Sequence, residues 1–333
     1  MADKSNVRRR IMTTRTGASE RSERVQPDAG RDGSGGAPDT AVRHRRTRID
    51  GCEVFYREAG PADAPALLLP HGYPCSSYAF RNFMPALADR WRLVAPDFPG
   101  FGYSATPPGF AYGFDGYARF LARFADELGL RRYVLYLHDY GSQIGLRLAI
   151  RAPDRVAGLI VQNGDIYADA LGPKYEGLLR HFARPTRETR QALVDAVSED
   201  GYRDEFLNGV DDERAALMTP DLWTLHWALT TPERADIAVA LMEGLRENLD
   251  WFPRYQAYLR EHAPPTLILW GPRDGYMPEA SARAYLRDLP QAQLHLFDDG
   301  GHWLLETHLD RAVALARGFL EGLPRHFVAG AVR

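Results

Sequence analysis

The sequence has two cysteines in 333 residues, Cys52 and Cys75, and neither belongs to a C-x-x-C or Cys/His cluster. That excludes a disulfide framework and a thiolate metal site. No run of about 18 apolar residues occurs, so nothing reads as a membrane span. A strong charge of one sign is also missing: 41 Lys/Arg stand against 44 Asp/Glu, a formal net charge of −3. Such a balance gives no overall pull toward nucleic acid or anionic lipid. No internal repeat is present. What remains is an ordinary globular composition, 45% hydrophobic and 26% charged, with ample material for a core. At roughly 100–200 residues per domain, one large domain or two small ones fit.

The charge is unevenly spread. Residues 1–48 hold 12 Lys/Arg and 6 Asp/Glu, a net of +6, which leaves −9 on the rest. This stretch is nearly free of large apolar residues before Val42. It buries too little surface to offset chain entropy, so residues 1–46 are expected to be a disordered basic tail. Arg8-Arg9-Arg10 invites a twin-arginine export reading, but Ile11–Thr16 is not the apolar stretch such a signal needs. A solvated tail, or initiation near Met12, is the expectation, and a cytoplasmic location follows by default.

From Thr47 the pattern becomes ordered. Thr47–Asp50 and Glu53–Arg57 flank a Gly51 turn and read as a hairpin. Short apolar runs at Ala66–Leu69, Leu93–Ala95, Tyr133–Leu137 and Val156–Val161 read as buried strands. Helical spacing lies between them at Ser77–Arg90, Phe114–Leu128 and Gly141–Arg151. Residues 165–260 contain no convincing strand and are helical, aromatic and charged. Alternation resumes with strands at Thr266–Trp270 and Gln293–Phe297 and helices at Ser281–Leu289 and Leu309–Leu323. The expected fold is α/β: a mostly parallel sheet flanked by helices, built from residues 47–164 and 261–333, with a helical cap inserted at 165–260.

Three loops stand at the carboxyl ends of these strands, the edge where ligands gather in open α/β sheets. In His138-Asp139-Tyr140-Gly141-Ser142 a strand meets a helix with almost no connector, so Asp139 is forced into a strained, exposed turn. Its carboxylate would sit at a helix N-terminus, where the dipole favours negative charge. Alone, Asp139 also reads as a helix N-cap. The second loop carries Asp274, which alone reads as structural, and the third carries His302 between Gly301 and Trp303. The order nucleophile, acid, histidine is the chain order of an α/β-hydrolase triad. His71-Gly72-Tyr73-Pro74 follows an early strand, and the Tyr73 and Tyr140 N–H groups are candidate oxyanion donors.

On these pieces, together with Asp97-Phe98-Pro99-Gly100-Phe101-Gly102-Tyr103-Ser104, the sequence resembles the α/β-hydrolase superfamily over residues 47–323. The closest likeness is to the branch with an aspartate nucleophile, the epoxide hydrolases and haloalkane dehalogenases. The resemblance implies that Asp139 attacks an electrophilic sp³ carbon to form an alkyl ester. His302, oriented by Asp274, then activates the water that hydrolyses it. Ser142 lies three residues past the elbow and is not the expected nucleophile.

Dehalogenases of this branch commonly hold halide with a Trp after the nucleophile and an Asn or second Trp elsewhere, whereas this chain has Tyr140 and Tyr73. Epoxide hydrolases protonate the ring oxygen with cap tyrosines, and Tyr167, Tyr175, Tyr202, Tyr255 and Tyr258 are available. Tyr175 and Tyr255 are the expected donors. Trp251, in an aromatic cap, is expected to line an apolar pocket, although any single one of these aromatics also reads as packing. The leading expectation is an epoxide hydrolase acting on a small apolar epoxide and water, with no cofactor and no metal. Haloalkane dehalogenation is the alternative, and a non-hydrolytic binding or lyase-like protein on the same fold is the alternative of another class. No nucleic-acid or membrane partner is expected, and homo-oligomerisation stays open.

Overall fold

Leu67, Leu68 and Leu69 are fully buried and alternate between two separate cores. The period-2 geometry of a strand requires this when both faces of a sheet are covered. The same alternation runs through Val134, Leu135, Tyr136 and Leu137. Each such side chain contributes about 1.5–3 kcal/mol by leaving water.

The computed structural model describes residues 39–324. Its sheet has eight strands: β1 (Arg43–Ile49), β2 (Cys52–Ala59), β3 (Ala66–Leu68), β4 (Arg92–Pro96), β5 (Tyr133–His138), β6 (Val156–Gln162), β7 (Thr266–Trp270) and β8 (Gln293–Leu296). They lie in the order β1-β2-β4-β3-β5-β6-β7-β8. The β1–β2 hairpin and the β2–β4 pair are antiparallel, and every other pair is parallel. The carboxyl ends of β3 to β8 therefore share one edge.

Core helices α1 (Phe83–Leu87), α2 (Phe114–Glu127) and α3 (Tyr140–Arg151) follow β3, β4 and β5. Between β6 and β7 run α4 (Glu176–Ala183), α5 (Arg187–Ala196), α6 (Glu199–Phe206), α7 (Asp212–Ala215), α8 (Asp221–Ala228), α9 (Pro232–Leu249) and α10 (Phe252–His262). The chain ends with α11 (Glu279–Asp288), α12 (Leu304–Thr307) and α13 (Leu309–Gly322). α1 and α13 cover one face of the sheet, whereas α2, α3 and α11 cover the other. Ten of the twelve residues of α3 are buried, because α2 and α10 pack over the sides that the sheet leaves open.

Two expectations need correction. β1 begins at Arg43, so residues 43–46 are strand rather than tail. Pairing with β2, from Arg43 opposite Glu58 to Ile49 opposite Cys52, orders a segment whose exposed arginines hide its pattern. Residues 1–38 of the expected tail lie outside the described residues. The helix expected at Ser77–Arg90 is a 3₁₀ turn, Ser77–Phe80, followed by the short α1. Pro85 has no N–H to offer the carbonyl of Arg81, and the break falls there. Among the described residues no helix is long and apolar enough to cross a membrane.

Candidate active site

β5 ends at His138 and α3 starts at Tyr140, so Asp139 alone makes the connection, at φ 50° and ψ −133°. A positive φ at a residue with a Cβ costs on the order of 1–3 kcal/mol and persists only where neighbours enforce it. Here Asp139 N–H donates to the Asn163 carbonyl at 3.1 Å, and Ser142 N–H donates to the Asp139 carbonyl at 2.9 Å. The Asp139 side chain makes no capping bond to α3, although the N-cap reading required one. Its Oδ1 instead accepts from Tyr73 N–H at 2.6 Å. That approach depends on Gly72, where any Cβ would overlap the Asp139 carboxylate.

Oδ2 of Asp139 lies 3.5 Å from His302 Nε2, and the other ring nitrogen, Nδ1, bonds Asp274 Oδ2 at 2.7 Å. Both Asp274 oxygens are further tied. Asn163 Nδ2 donates to Oδ2 at 2.9 Å, while Asn208 Nδ2 and Tyr276 N–H each donate to Oδ1 at 2.8 Å. The His302 loop is held by its backbone: His302 N–H donates to the Asn208 carbonyl at 3.0 Å, and Gln162 Nε2 donates to the His302 carbonyl at 3.1 Å. His138 Nε2 lies 3.2 Å from the same carbonyl. Gly209, at φ 76°, slips between the Arg273 carbonyl and Gly301, where a side chain would collide with backbone.

Burial opposes ionisation of Asp274, but the charge and hydrogen bond of His302 and the N–H donors around it hold its carboxyl below the usual range. Burial likewise opposes the His302 imidazolium, yet the Asp274 carboxylate, with Asp139 facing it, holds it at about 10. Among the described residues His138 and His71 have no carboxylate within bonding reach. Burial pushes His138 down to about 3 and His71 down to about 4.

Beside Asp139 lies a cavity of about 40 Å³. Leu178, Met242, Leu245 and Met277 form its apolar wall. Its polar lining is Asp139, Tyr73, Tyr140, Tyr175, Tyr276 and Glu205, so every polar side chain here ends in oxygen. The rings of Tyr73 and Tyr140 stack at 5.8 Å, and those of Tyr175 and Tyr276 meet edge to face at 5.4 Å. Two of the phenols have a carboxyl behind them, Asp165 fully buried and Glu205 half-buried. Tyr276 O–H donates to Glu205 Oε1 at 2.7 Å, and Asp165, beside Tyr175, accepts from Gln143 Nε2 at 3.0 Å. Burial pushes both carboxyls up to about 7. Among the described residues no group of three or more His, Cys, Asp or Glu is placed to hold a metal ion.

Asp139, His302, Asp274, Tyr73, Tyr140 and Tyr175 are thus brought together. Tyr255 and Trp251 are not. Tyr255 is fully buried between α3 and α10, where its hydroxyl accepts from Arg147 Nε at 2.8 Å and donates to Asn248 Oδ1 at 2.7 Å. Trp251 stacks under the same Arg147, whose guanidinium carbon is 4.1 Å from the ring centre. Both serve the seam between α10 and α3 and leave the cavity to other residues. Glu205, Asn208, Tyr276 and Asn163 escaped the sequence reading. Tyr276 alone had a positional signal, two residues past Asp274 in a loop already singled out.

A family model described as alpha/beta hydrolase fold matches residues 65–309. The chain is 43% identical over 267 residues to haloalkane dehalogenase 2 of Mycobacterium bovis, covering 78% of this chain and 89% of that protein. It is 33% identical over 272 residues to an uncharacterized hydrolase of Saccharomyces cerevisiae, covering 80% and 92% respectively. Its structure is similar to that of a haloalkane dehalogenase DbeA loop variant from Bradyrhizobium elkanii, with a TM-score of 0.68 and 25% identity over 85% of this chain and 97% of the other.

Proposed function

The chain belongs to the α/β-hydrolase superfamily, in its dehalogenase and epoxide-hydrolase-like branch, and from that premise we propose that it hydrolyses small epoxides through an ester on Asp139. The observation that carries this reading is the cavity lining. Ring opening leaves a charge on oxygen that needs a proton, and four tyrosines line the cavity beside Asp139. A departing halide needs no proton and is best held by N–H donors. None of the lining side chains carries one.

In the proposed reaction Asp139 Oδ2 attacks the epoxide carbon, since Oδ1 is held by Tyr73 N–H. The C–O bond of the ring breaks, and the departing oxygen takes a proton from a phenol facing it, Tyr175 or Tyr276. Esterification removes the negative charge of Asp139. One of the two carboxylates that hold His302 protonated is then gone, so His302 gives up its proton, which through solvent replaces the one spent on the ring oxygen, and becomes a competent base. It deprotonates a water that attacks Asp139 Cγ. The developing oxyanion is the former Oδ1, already aligned with Tyr73 N–H, and such a donor is worth about 3–4 kcal/mol. The helical segment between β6 and β7 acts as a cap that closes the cavity over the substrate. With about 40 Å³ open beside Asp139, the smallest terminal epoxides are the expected substrates, and flexible Met242 and Met277 give way to admit them.

A second reading, haloalkane dehalogenation, is favoured by the 43% identical relative of that name. One experiment separates the two. A His302→Gln protein is mixed with small epoxides or small haloalkanes and its intact mass is followed. A gain equal to the whole epoxide, mapped to Asp139, supports the first reading. A gain of the haloalkane less hydrogen halide supports the second. No adduct from either set, with no turnover by the unaltered protein, defeats both.

A further inference from the structure

Among the described residues Glu205 is the one cavity-lining acid besides Asp139, and it lies on α6, remote in sequence from every loop of the proposed triad. Its backbone is anchored there by Trp303 Nε1, which donates to the Glu205 carbonyl at 2.9 Å. Among the described residues no Lys or Arg pairs with its carboxylate. The nearby Lys174 is taken by Asp204, at 2.7 Å. A half-buried carboxyl that faces a cavity without a paired cation is drawn toward its neutral form. Its only side-chain hydrogen bond among the described residues joins it to the Tyr276 hydroxyl at 2.7 Å. Tyr276 is itself fixed through its N–H to Asp274 Oδ1. A protonated carboxyl in this position donates to the phenol oxygen, and the phenol hydrogen is then free to point into the cavity.

We propose that Glu205 is the proton reservoir for ring opening, relayed through Tyr276. The inference rests on the epoxide reading above. As the ring C–O bond breaks, the leaving oxygen takes the Tyr276 proton and the Tyr276 oxygen takes the Glu205 proton, leaving a hydroxyalkyl ester on Asp139 and a Glu205 carboxylate. The proton that His302 gives up on esterification restores Glu205, and hydrolysis of the ester by water yields diol and returns a proton to His302, so epoxide plus water balances diol. No free tyrosinate persists, which matters because burial and the Glu205 charge make one costly at Tyr276.

The charged and titratable groups around Glu205 set the pH at which the reservoir empties. Asp139 from the elbow raises its affinity for a proton, while Lys174, His302 and the Tyr276 hydroxyl lower it. Tyr73 and Tyr140 also face it and stay neutral. Burial dominates, and the balance falls at about 7. Ring opening therefore runs below that pH and falls as pH rises through it.

The test is kcat/KM for a small terminal epoxide between pH 5.5 and 8.5, since this ratio reports the steps through ring opening. For the unaltered protein it should fall above pH 7. Glu205→Gln should lower it by about 10²-fold or more and abolish the fall with pH. Tyr276→Phe should do the same, and the double variant should be no worse than either. A Glu205→Gln protein within threefold of the unaltered one, or one that is slower but keeps the original pH dependence, overturns the relay and leaves the epoxide reading standing. If Glu205→Gln does not fold, Tyr276→Phe decides by the same criteria. An unaltered protein that turns over no epoxide overturns both.

Discussion

The Asn208 side chain donates to Asp274 Oδ1 across 66 positions of sequence, at 2.8 Å, and the Asn208 carbonyl accepts from His302 N–H at 3.0 Å. One residue of the helical insertion therefore steadies two members of the proposed triad. Asn208→Ala should cost about 1.5–3 kcal/mol of support to the Asp274 carboxylate. Deprived of that donor, Asp274 holds the His302 proton-accepting geometry less well. We expect kcat to fall roughly 10- to 100-fold with KM nearly unchanged. Steady-state kinetics on the folded variant decide it, and an unchanged kcat would leave Asn208 a purely architectural residue.

Asp139 and Ser142 provide a contrast at the same turn. Asp139→Ala should reduce turnover on the order of 10⁴- to 10⁶-fold, as loss of a nucleophile does. The Ser142 hydroxyl is buried without a hydrogen-bond partner among the described residues. Ser142→Ala should keep activity within about twofold and leave the melting temperature level or slightly raised. A Ser142→Ala protein without activity would redirect the chemistry to serine.

Gly72→Ala tests how closely the two loops must approach. The added methyl meets the Asp139 side chain and its carboxylate. Either the Tyr73 N–H withdraws from Oδ1 or the elbow shifts, at a cost of about 1–3 kcal/mol. A protein that folds, by circular dichroism, but forms ester at least tenfold more slowly is the expected outcome. Full activity would mean the loop yields more readily than its packing suggests.

His302 imposes a stability signature. Its imidazolium is held at about 10 in the folded chain, against about 6.5 when unfolded. The folded state thus binds the extra proton between these values. The stabilisation is complete below pH 6.5 and is lost as pH rises toward 10. Glu205 and Asp165, held at about 7, are ionised in both states over most of that window and add little slope. Denaturant unfolding at pH 7.5, 8.25 and 9 should show stability declining by about 1.4 kcal/mol per pH unit. His302→Gln should flatten that decline.

Much of this was legible beforehand, because strands and elbow loops carry local signals. The strands fell within a few residues of their expected bounds, except where the arginines of β1 disguised a strand. Asp139, Asp274 and His302 could be singled out because each lies in a loop that follows a strand, in a recognisable order. The helical insertion carries no such marker. Its apolar spacing reports that a helix is buried and is silent about which neighbour it meets. Tyr255 has the right chemistry, but its turn of α10 faces Arg147 on α3. Glu205 has an unremarkable sequence setting, and only the tertiary fold delivers it to the cavity. A cavity-lining acid among charged neighbours such as Asp204 and Arg203 looks, in one dimension, like a solvated helix face.

The thread of backbone at Asn208 and Gly209 limits how modular the molecule is. These residues belong by chain position to the insertion, yet they are wedged between the Asp274 and His302 loops. A chimera that replaces the whole insertion with that of another hydrolase would discard this wedge and inherit a loosened triad, whatever specificity it gained. The serviceable cut points for recombination lie beyond Val210 and before Pro232, and again between Ala183 and Ser198, so that α6 and its trailing turn stay with the sheet they serve.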